Sequence, residues 1–188
     1  MTASPPNRRY VMLDRDGTLI ADRHYLSDPD QIELLPGAIE GLQKLMQLGL
    51  GLVVITNQSG IGRGYFSSAR LDEVHHRLKS LLADHRVFLD GIYVCPHLPE
   101  DRCSCRKPLP GLVSSAAAEL GFEPSAGFVI GDKPCDIELG RAINARTFLI
   151  RTAYGAQSAA DAITLPDFTV DNILEAAAII ADIRPRVL

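Results

Sequence analysis

Short apolar runs, each closed by glycine or polar residues, punctuate the chain at Tyr10-Val11-Met12-Leu13, Leu52-Val53-Val54-Ile55, Gly91-Ile92-Tyr93-Val94, Gly127-Phe128-Val129-Ile130 and Ala145 to Ile150, with a briefer one at Phe168-Thr169-Val170. Unbroken apolar runs of this length are the mark of strands buried on both faces. Between them the apolar residues recur at helical spacing. Ile39, Leu42, Leu45 and Met46 follow Pro36-Gly37 in a helix reaching about Leu48, with Gly49 as its C-cap. Leu71, Val74, Leu78, Leu81 and Leu82 stripe a second helix that Ser67-Ser68 would cap and that runs to about Arg86. Pro108 and Pro110-Gly111 open a third through Glu119, closed at Gly121, and a last amphipathic helix spans Asn172 to about Asp182. Strands alternating with helices predict right-handed crossovers and an α/β fold, a mostly parallel sheet flanked by helices. The 188 residues suffice for one domain, 1–188, with a real core.

The polar residues at the strand ends carry the candidate chemistry, because ligands of open α/β sheets bind outside the carboxyl ends of the strands. The first run stops at Asp14-Arg15-Asp16-Gly17-Thr18. Asp14 and Asp16 alternate with Arg15, so along extended backbone they point the same way. Two such carboxylates need a cation or a shared proton, and Mg2+, which prefers oxygen ligands, would serve. One could attack an electrophile while the other handles the proton. An Asp-Gly hairpin turn is the plainer alternative. The second run ends in Thr56-Asn57-Gln58-Ser59-Gly60, whose hydroxyl, amides and backbone N–H groups suit phosphoryl oxygens; a simple Ser-Gly turn would look alike. The fourth ends in Gly131-Asp132-Lys133-Pro134-Cys135-Asp136, where Asp132 would complete a Mg2+ site and Asp136 could orient the set or cap the next helix. Ile20 to Glu33 reads as a polar loop able to lie over the strand ends, and Ala145–Ile150 runs out near Arg151-Thr152-Ala153-Tyr154-Gly155.

Cys95-Pro96-His97 and Cys103-Ser104-Cys105 offer three thiolates and an imidazole, a tetrahedral zinc set that leaves no position for water. Such a site is structural and staples the loop 95–105. A disulfide or three reduced thiols are the alternatives. Arg106 and Lys107 follow directly, so a folded zinc loop would also aim two cations, one able to fork onto a phosphate and one a compact charge for a phosphoryl oxygen. Cys135 reads as a small buried residue, and His75, His76 and His85 as solvated or boundary residues of their helix.

Composition removes several classes. A net charge of −4 speaks against nucleic acid or anionic membrane as the main partner, and no apolar run approaches the ~20 residues of a membrane span. Met1 to Arg9 is polar, with Pro5-Pro6, and lacks the apolar core of a signal peptide, so a cytoplasmic location is expected.

In order, these stretches resemble the four motifs of the haloacid-dehalogenase (HAD) phosphohydrolases, from Asp14 to Asp136. The resemblance implies a Rossmann-like fold and Mg2+-dependent hydrolysis through an aspartyl-phosphate. Asp14 is then the nucleophile and Asp16 the general acid/base; Thr56 and Lys107 hold the transferring oxygens. Mg2+ would sit on Asp14, Asp132 and the Asp16 carbonyl, with Lys133 counted at both the metal and substrate sites. The Cys/His loop resembles a branch holding heptose 1,7-bisphosphate 7-phosphatases and histidinol phosphatases, and Thr56 to Phe66 resembles the former. That implies a sugar bisphosphate substrate, with Arg106 on its second phosphate and Asp22, Arg23, His24, Tyr25, Thr56, Asn57, Gln58 and Ser59 lining the pocket. Five residues separate His97 from Cys103, an interval closer to the histidinol-phosphatase type. No large cap domain is expected, nor a partner chain: a monomer acting on a small molecule. A catalytically silent zinc-stapled sugar-phosphate-binding module is the alternative from another class; the intact set of Asp14, Asp16, Lys107 and Asp132 argues against it.

Overall fold

The computed structural model describes residues 8–151 and 165–183, so Pro5-Pro6 and the expected loop at Thr152 to Gly155 lie outside the described residues. Six strands form one sheet in the order β3-β2-β1-β4-β5-β6: β1 Tyr10–Leu13, β2 Gly51–Asn57, β3 Gly91–Cys95, β4 Phe128–Gly131, β5 Arg146–Ile150 and β6 Phe168–Val170. Every neighbouring pair is parallel. Among the described residues the α-helices are α1 Ala38–Gln47, α2 Ser68–Asp84, α3 Gly111–Leu120, α4 Pro134–Ala142 and α5 Ile173–Asp182.

Period-2 alternation divides the core between the two faces of the sheet. Val11, Leu13, Leu52, Val54, Phe128 and Ile130 pack with Leu42 and Leu45 of α1, Val74 and Leu78 of α2, and Ile173 and Ile180 of α5. Tyr10, Met12, Val53, Ile55 and Val129 face the other way, onto Leu112, Val113 and Ala116 of α3 and Leu139 of α4. On the first face α1 and α5 approach closely at Gly41, where a Cβ would come within 2.6 Å of the Ile173 backbone. The caps follow the sequence: Ser67 accepts from Arg70 N, Asn172 from Glu175 N, and Gly121 closes α3 at φ 71°.

The sheet order reverses at β1, with β2 and β3 on one side and β4 to β6 on the other. That switch point opens a crevice at the carboxyl ends of β1 and β4, where Asp14 and Asp132 follow. Two strands run further than their apolar content indicates. The register pairs Thr56 with Val94 and Asn57 with Cys95, so the last residues of β2 and β3 are ladder residues and not loop. Between β1 and α1, and between β2 and α2, the chain forms loops with short turns and no inserted layer.

Candidate active site

β1, β2, β4 and the segment after the cysteine cluster each deliver one side chain to the same buried spot. Asp14, Thr56, Lys107 and Asp132 are all buried, as is Asp136 in the first turn of α4. Lys107 Nζ lies 2.8 Å from Asp14 Oδ1 and 2.7 Å from Asp136 Oδ1. Burial alone would discharge this lysine; Asp136 and Asp14 more than offset it and hold its pKa above the usual range. Asp136 does both things open to it, since its Oδ2 also accepts from Lys133 N at 3.1 Å. Gly17, at φ 81°, admits Asp132: a Cβ there would fall 2.2 Å from Asp132 Oδ2.

Carboxylate oxygens of Asp14, Asp132 and Asp136 lie within 4.8 Å of one another. Burial, and then the charge of Asp14, pushes Asp132 up to about 7. A hard divalent cation would relieve that repulsion, and the all-oxygen donor set fits Mg2+. Lys133 sits beside the same group, its pKa raised against burial by Asp132 and Asp14. As an ammonium it has no lone pair for a metal; it counters the carboxylates and reaches Asp22 Oδ2 at 2.9 Å.

Asp16 departs from the expected alternation. The strand stops at Leu13, and a turn in which Leu19 N and Ile20 N donate to the Arg15 carbonyl ends the extended geometry. Arg15 therefore shares a side with Asp16 and forks onto its carboxylate, Nε to Oδ2 at 3.1 Å and Nη2 to Oδ1 at 3.0 Å. Gln58 donates to Asp16 Oδ2 at 2.8 Å and to Thr56 Oγ1 at 2.9 Å, leaving the threonine proton available for a ligand. His75, expected at a boundary, is buried against Arg15, while His76 and His85 are exposed.

The cleft over these groups measures about 250 Å3 and is lined by Asp16, Asp22, His24, Tyr25, Asn57, Gln58, Ser59, Arg106 and Lys133. Of the residues expected to line it, Thr56 and Arg23 are not among them: Thr56 is buried, and Arg23 turns outward to Glu33 while Lys133 pairs with Asp22. Arg15, Leu26 and Cys135 line the cleft without having been expected there, and Cys135 is only half-buried. Asn57 is a brace as much as a lining residue: its Oδ1 accepts from Lys107 N at 3.0 Å and its Nδ2 donates to Lys107 O at 3.2 Å.

The cysteine cluster lies beside this brace. Cys105 Sγ is 3.1 Å from both Cys95 Sγ and His97 Nδ1 and 3.5 Å from Cys103 Sγ; Cys95 Sγ is 3.7 Å from Cys103 Sγ and 3.6 Å from His97 Nδ1. All four cysteines are free. A tetrahedron with metal–sulfur bonds of about 2.3 Å has edges of roughly 3.8 Å, so these four atoms could hold zinc with small adjustment. Two bonds tie the loop to the site, from Gln58 N to Cys95 O and from Arg106 Nη1 to His97 O.

A parallel sheet whose central strand ends in a buried, lysine-held aspartate at the switch point, with a second aspartate in a basic fork lining the cleft beside it, defines the HAD phosphohydrolase class. The polynucleotide kinase 3 phosphatase family model matches residues 9–137, and a HAD-hydrolase-like model matches residues 104–176. D-glycero-β-D-manno-heptose-1,7-bisphosphate 7-phosphatase of Pasteurella multocida is 42% identical over 77% of this chain and 83% of its own length; that of Salmonella typhi is 38% identical over 88% and 91%. The D,D-heptose 1,7-bisphosphate phosphatase of B. bronchiseptica, crystallised with magnesium and phosphate, superposes with a TM-score of 0.85 at 30% identity, covering 93% of this chain and 98% of that one. The chain belongs to the D-glycero-β-D-manno-heptose-1,7-bisphosphate 7-phosphatase family of HAD hydrolases. Among the described residues no helix is long and apolar enough to cross a membrane.

Proposed function

We propose that this chain, as a single 1–188 unit, removes the 7-phosphate of D-glycero-β-D-manno-heptose 1,7-bisphosphate, yielding the 1-phosphate and inorganic phosphate. The observation that carries the chemistry is Asp14, fixed by Lys107 at the end of the central strand with Asp16 held beside the cleft. Asp14 attacks phosphorus in line; the bond to the C7 oxygen breaks as Asp16 gives that oxygen its proton. A water then attacks the phosphoryl group on Asp14, Asp16 takes the water's proton, and Asp14 leaves as a carboxylate. The Thr56 hydroxyl and the Lys107 ammonium hold the transferring oxygens, so that most of the catalysis is positioning and charge neutralisation. Mg2+, held by Asp14, Asp132 and the Asp16 carbonyl, supplies further neutralisation when bound. Arg106 takes the second phosphate, and the loop from Asp22 to Tyr25 with Asn57 to Ser59 surrounds the sugar. We assign the reaction to the cytoplasm: four free thiols, three of them in a metal-ligand set, suit a reducing compartment.

Phosphate release with Mg2+ tests the substrate directly. The β-anomer of the heptose bisphosphate is expected to exceed the α-anomer, histidinol phosphate and fructose 1,6-bisphosphate by about tenfold or more in kcat/KM, since discrimination is a difference in transition-state binding. Preference for histidinol phosphate would instead make the short interval from His97 to Cys103 the better guide, and the substrate reading would fail.

Zinc on Cys95, His97, Cys103 and Cys105 is the second part of the proposal. Elemental analysis is expected to return one zinc per chain, and Cys105→Ser to lower both Tm and turnover, because Arg106 and Lys107 follow the last sulfur. Less than half an equivalent of zinc in carefully purified protein would remove the staple from this account.

A further inference from the structure

His75 lies buried on α2 and has no part in the chemistry above. Its Nε2 stands 3.1 Å from Arg15 Nη1. A guanidinium carries only donors, so Nε2 must be the lone-pair nitrogen, with the ring proton on Nδ1. Burial, and then the charge of Arg15, pushes the imidazole down to about 3, which keeps it a neutral acceptor. Arg15 is fully buried, and each of its three nitrogens is engaged: Nε with Asp16 Oδ2, Nη2 with Asp16 Oδ1 and Gln58 Oε1, Nη1 with His75. Because the guanidinium is planar and rigid, anchoring Nη1 sets the edge presented to the Asp16 carboxylate.

We propose that His75 is a positioning residue for the reaction: acting through Arg15, it holds Asp16 where the leaving oxygen and the incoming water can share its proton. The inference rests on the acid/base role given to Asp16 above. Without the imidazole acceptor a buried cationic donor loses its partner, the guanidinium rotates to find another, and the carboxylate it forks tilts with it. Displacements of about 1 Å around reacting atoms cost rates of the order of a hundredfold, and smaller tilts cost proportionately less.

The test compares kcat/KM, which reports the steps up to departure of the leaving group, on two substrates of opposite need. The heptose alkoxide is a poor leaving group that requires Asp16 as acid; 4-nitrophenolate leaves with little protonation. Asp16→Asn sets the scale and is expected to lose far more on the sugar bisphosphate than on 4-nitrophenyl phosphate. His75→Leu should reproduce that asymmetry in smaller form, about tenfold on the sugar and less than about twofold on the aryl ester, within the general-acid range. His75→Gln, whose amide oxygen can accept from Nη1, should recover most of the loss. A crevice of about 150 Å3, lined by Asp72, His75, His76, Lys79 and Ile92, adjoins the position, and a thermal melt of each variant checks that the fold is kept. Equal losses on both substrates, or no recovery with Gln, would leave His75 a space-filling residue and overturn the inference. Absence of any asymmetry in Asp16→Asn would remove the acid role itself, and the His75 inference with it. Asymmetry in Asp16→Asn but not in His75→Leu overturns the His75 inference alone.

Discussion

Asp14→Asn is expected to abolish phosphate release, by about a millionfold if it resembles other deletions of a catalytic nucleophile. The amide keeps the shape of the side chain and can still accept from Lys107 through its oxygen, so the fold and the ladder bond from Asp14 N to Ile130 O should survive. What disappears is the anionic oxygen that attacks phosphorus. Single-turnover assays with the heptose bisphosphate, alongside a thermal melt, separate the two effects. The melt should move little, and no phosphate should become attached to the protein. Retention of even one per cent of wild-type turnover would mean that Asp14 is not the nucleophile.

Lys107→Met should be the next most damaging change, and it acts on stability as well as rate. The wild-type ammonium sits within 2.8 Å of Asp14 and 2.7 Å of Asp136, with Asp132 beside them. Methionine matches the length and apolar stem but leaves buried carboxylates without their cation, a class of change that costs about 3–5 kcal/mol. Loss of a charge aimed at the transferring oxygens removes roughly a further hundred- to thousandfold in kcat. A divalent cation can partly replace the missing charge, so Mg2+ should raise the Tm of this variant more than that of the wild type. Turnover within tenfold of wild type would show that Lys107 serves the fold and not the reaction.

Much of this architecture is legible in the chain because a parallel sheet buries both faces and writes each strand as an unbroken apolar run. β1 and β6 fall on the runs that foretell them, while β2 and β3 extend past theirs to Asn57 and Cys95. Hydrogen bonding of the backbone ladder does not require an apolar side chain, so polar residues at a strand's end look like loop. The carboxylates, Lys107 and the Cys/His set are recognisable by residue type and spacing. Arg15 and His75 are not, for two reasons. Alternation ceases to govern side-chain direction where β1 ends, and the burial of His75 depends on a contact across 60 positions in sequence. Its spacing from Leu71 and Leu78 puts His75 on the apolar face of α2 and His76 off it, but nothing local shows that the inward ring meets Arg15. Arg23 fails for the opposite reason: its neighbourhood suggests a ligand loop, yet its own charge is already met by Glu33.

The two hydrogen bonds between Asn57 and Lys107 have a consequence for how this scaffold can diversify. The cysteine loop enters from a ladder residue, Cys95, and leaves through a lysine latched to the neighbouring strand. Both of its ends are thus clamped to the sheet, and the Cys/His cluster ties one end to the other. The short turn at Pro99–Asp101 can be lengthened, shortened or recomposed without displacing the reactive lysine. The loop's tip is in this way the part of the scaffold free to vary, while Arg106 and Lys107, the two residues it contributes to the substrate, stay pinned at its root.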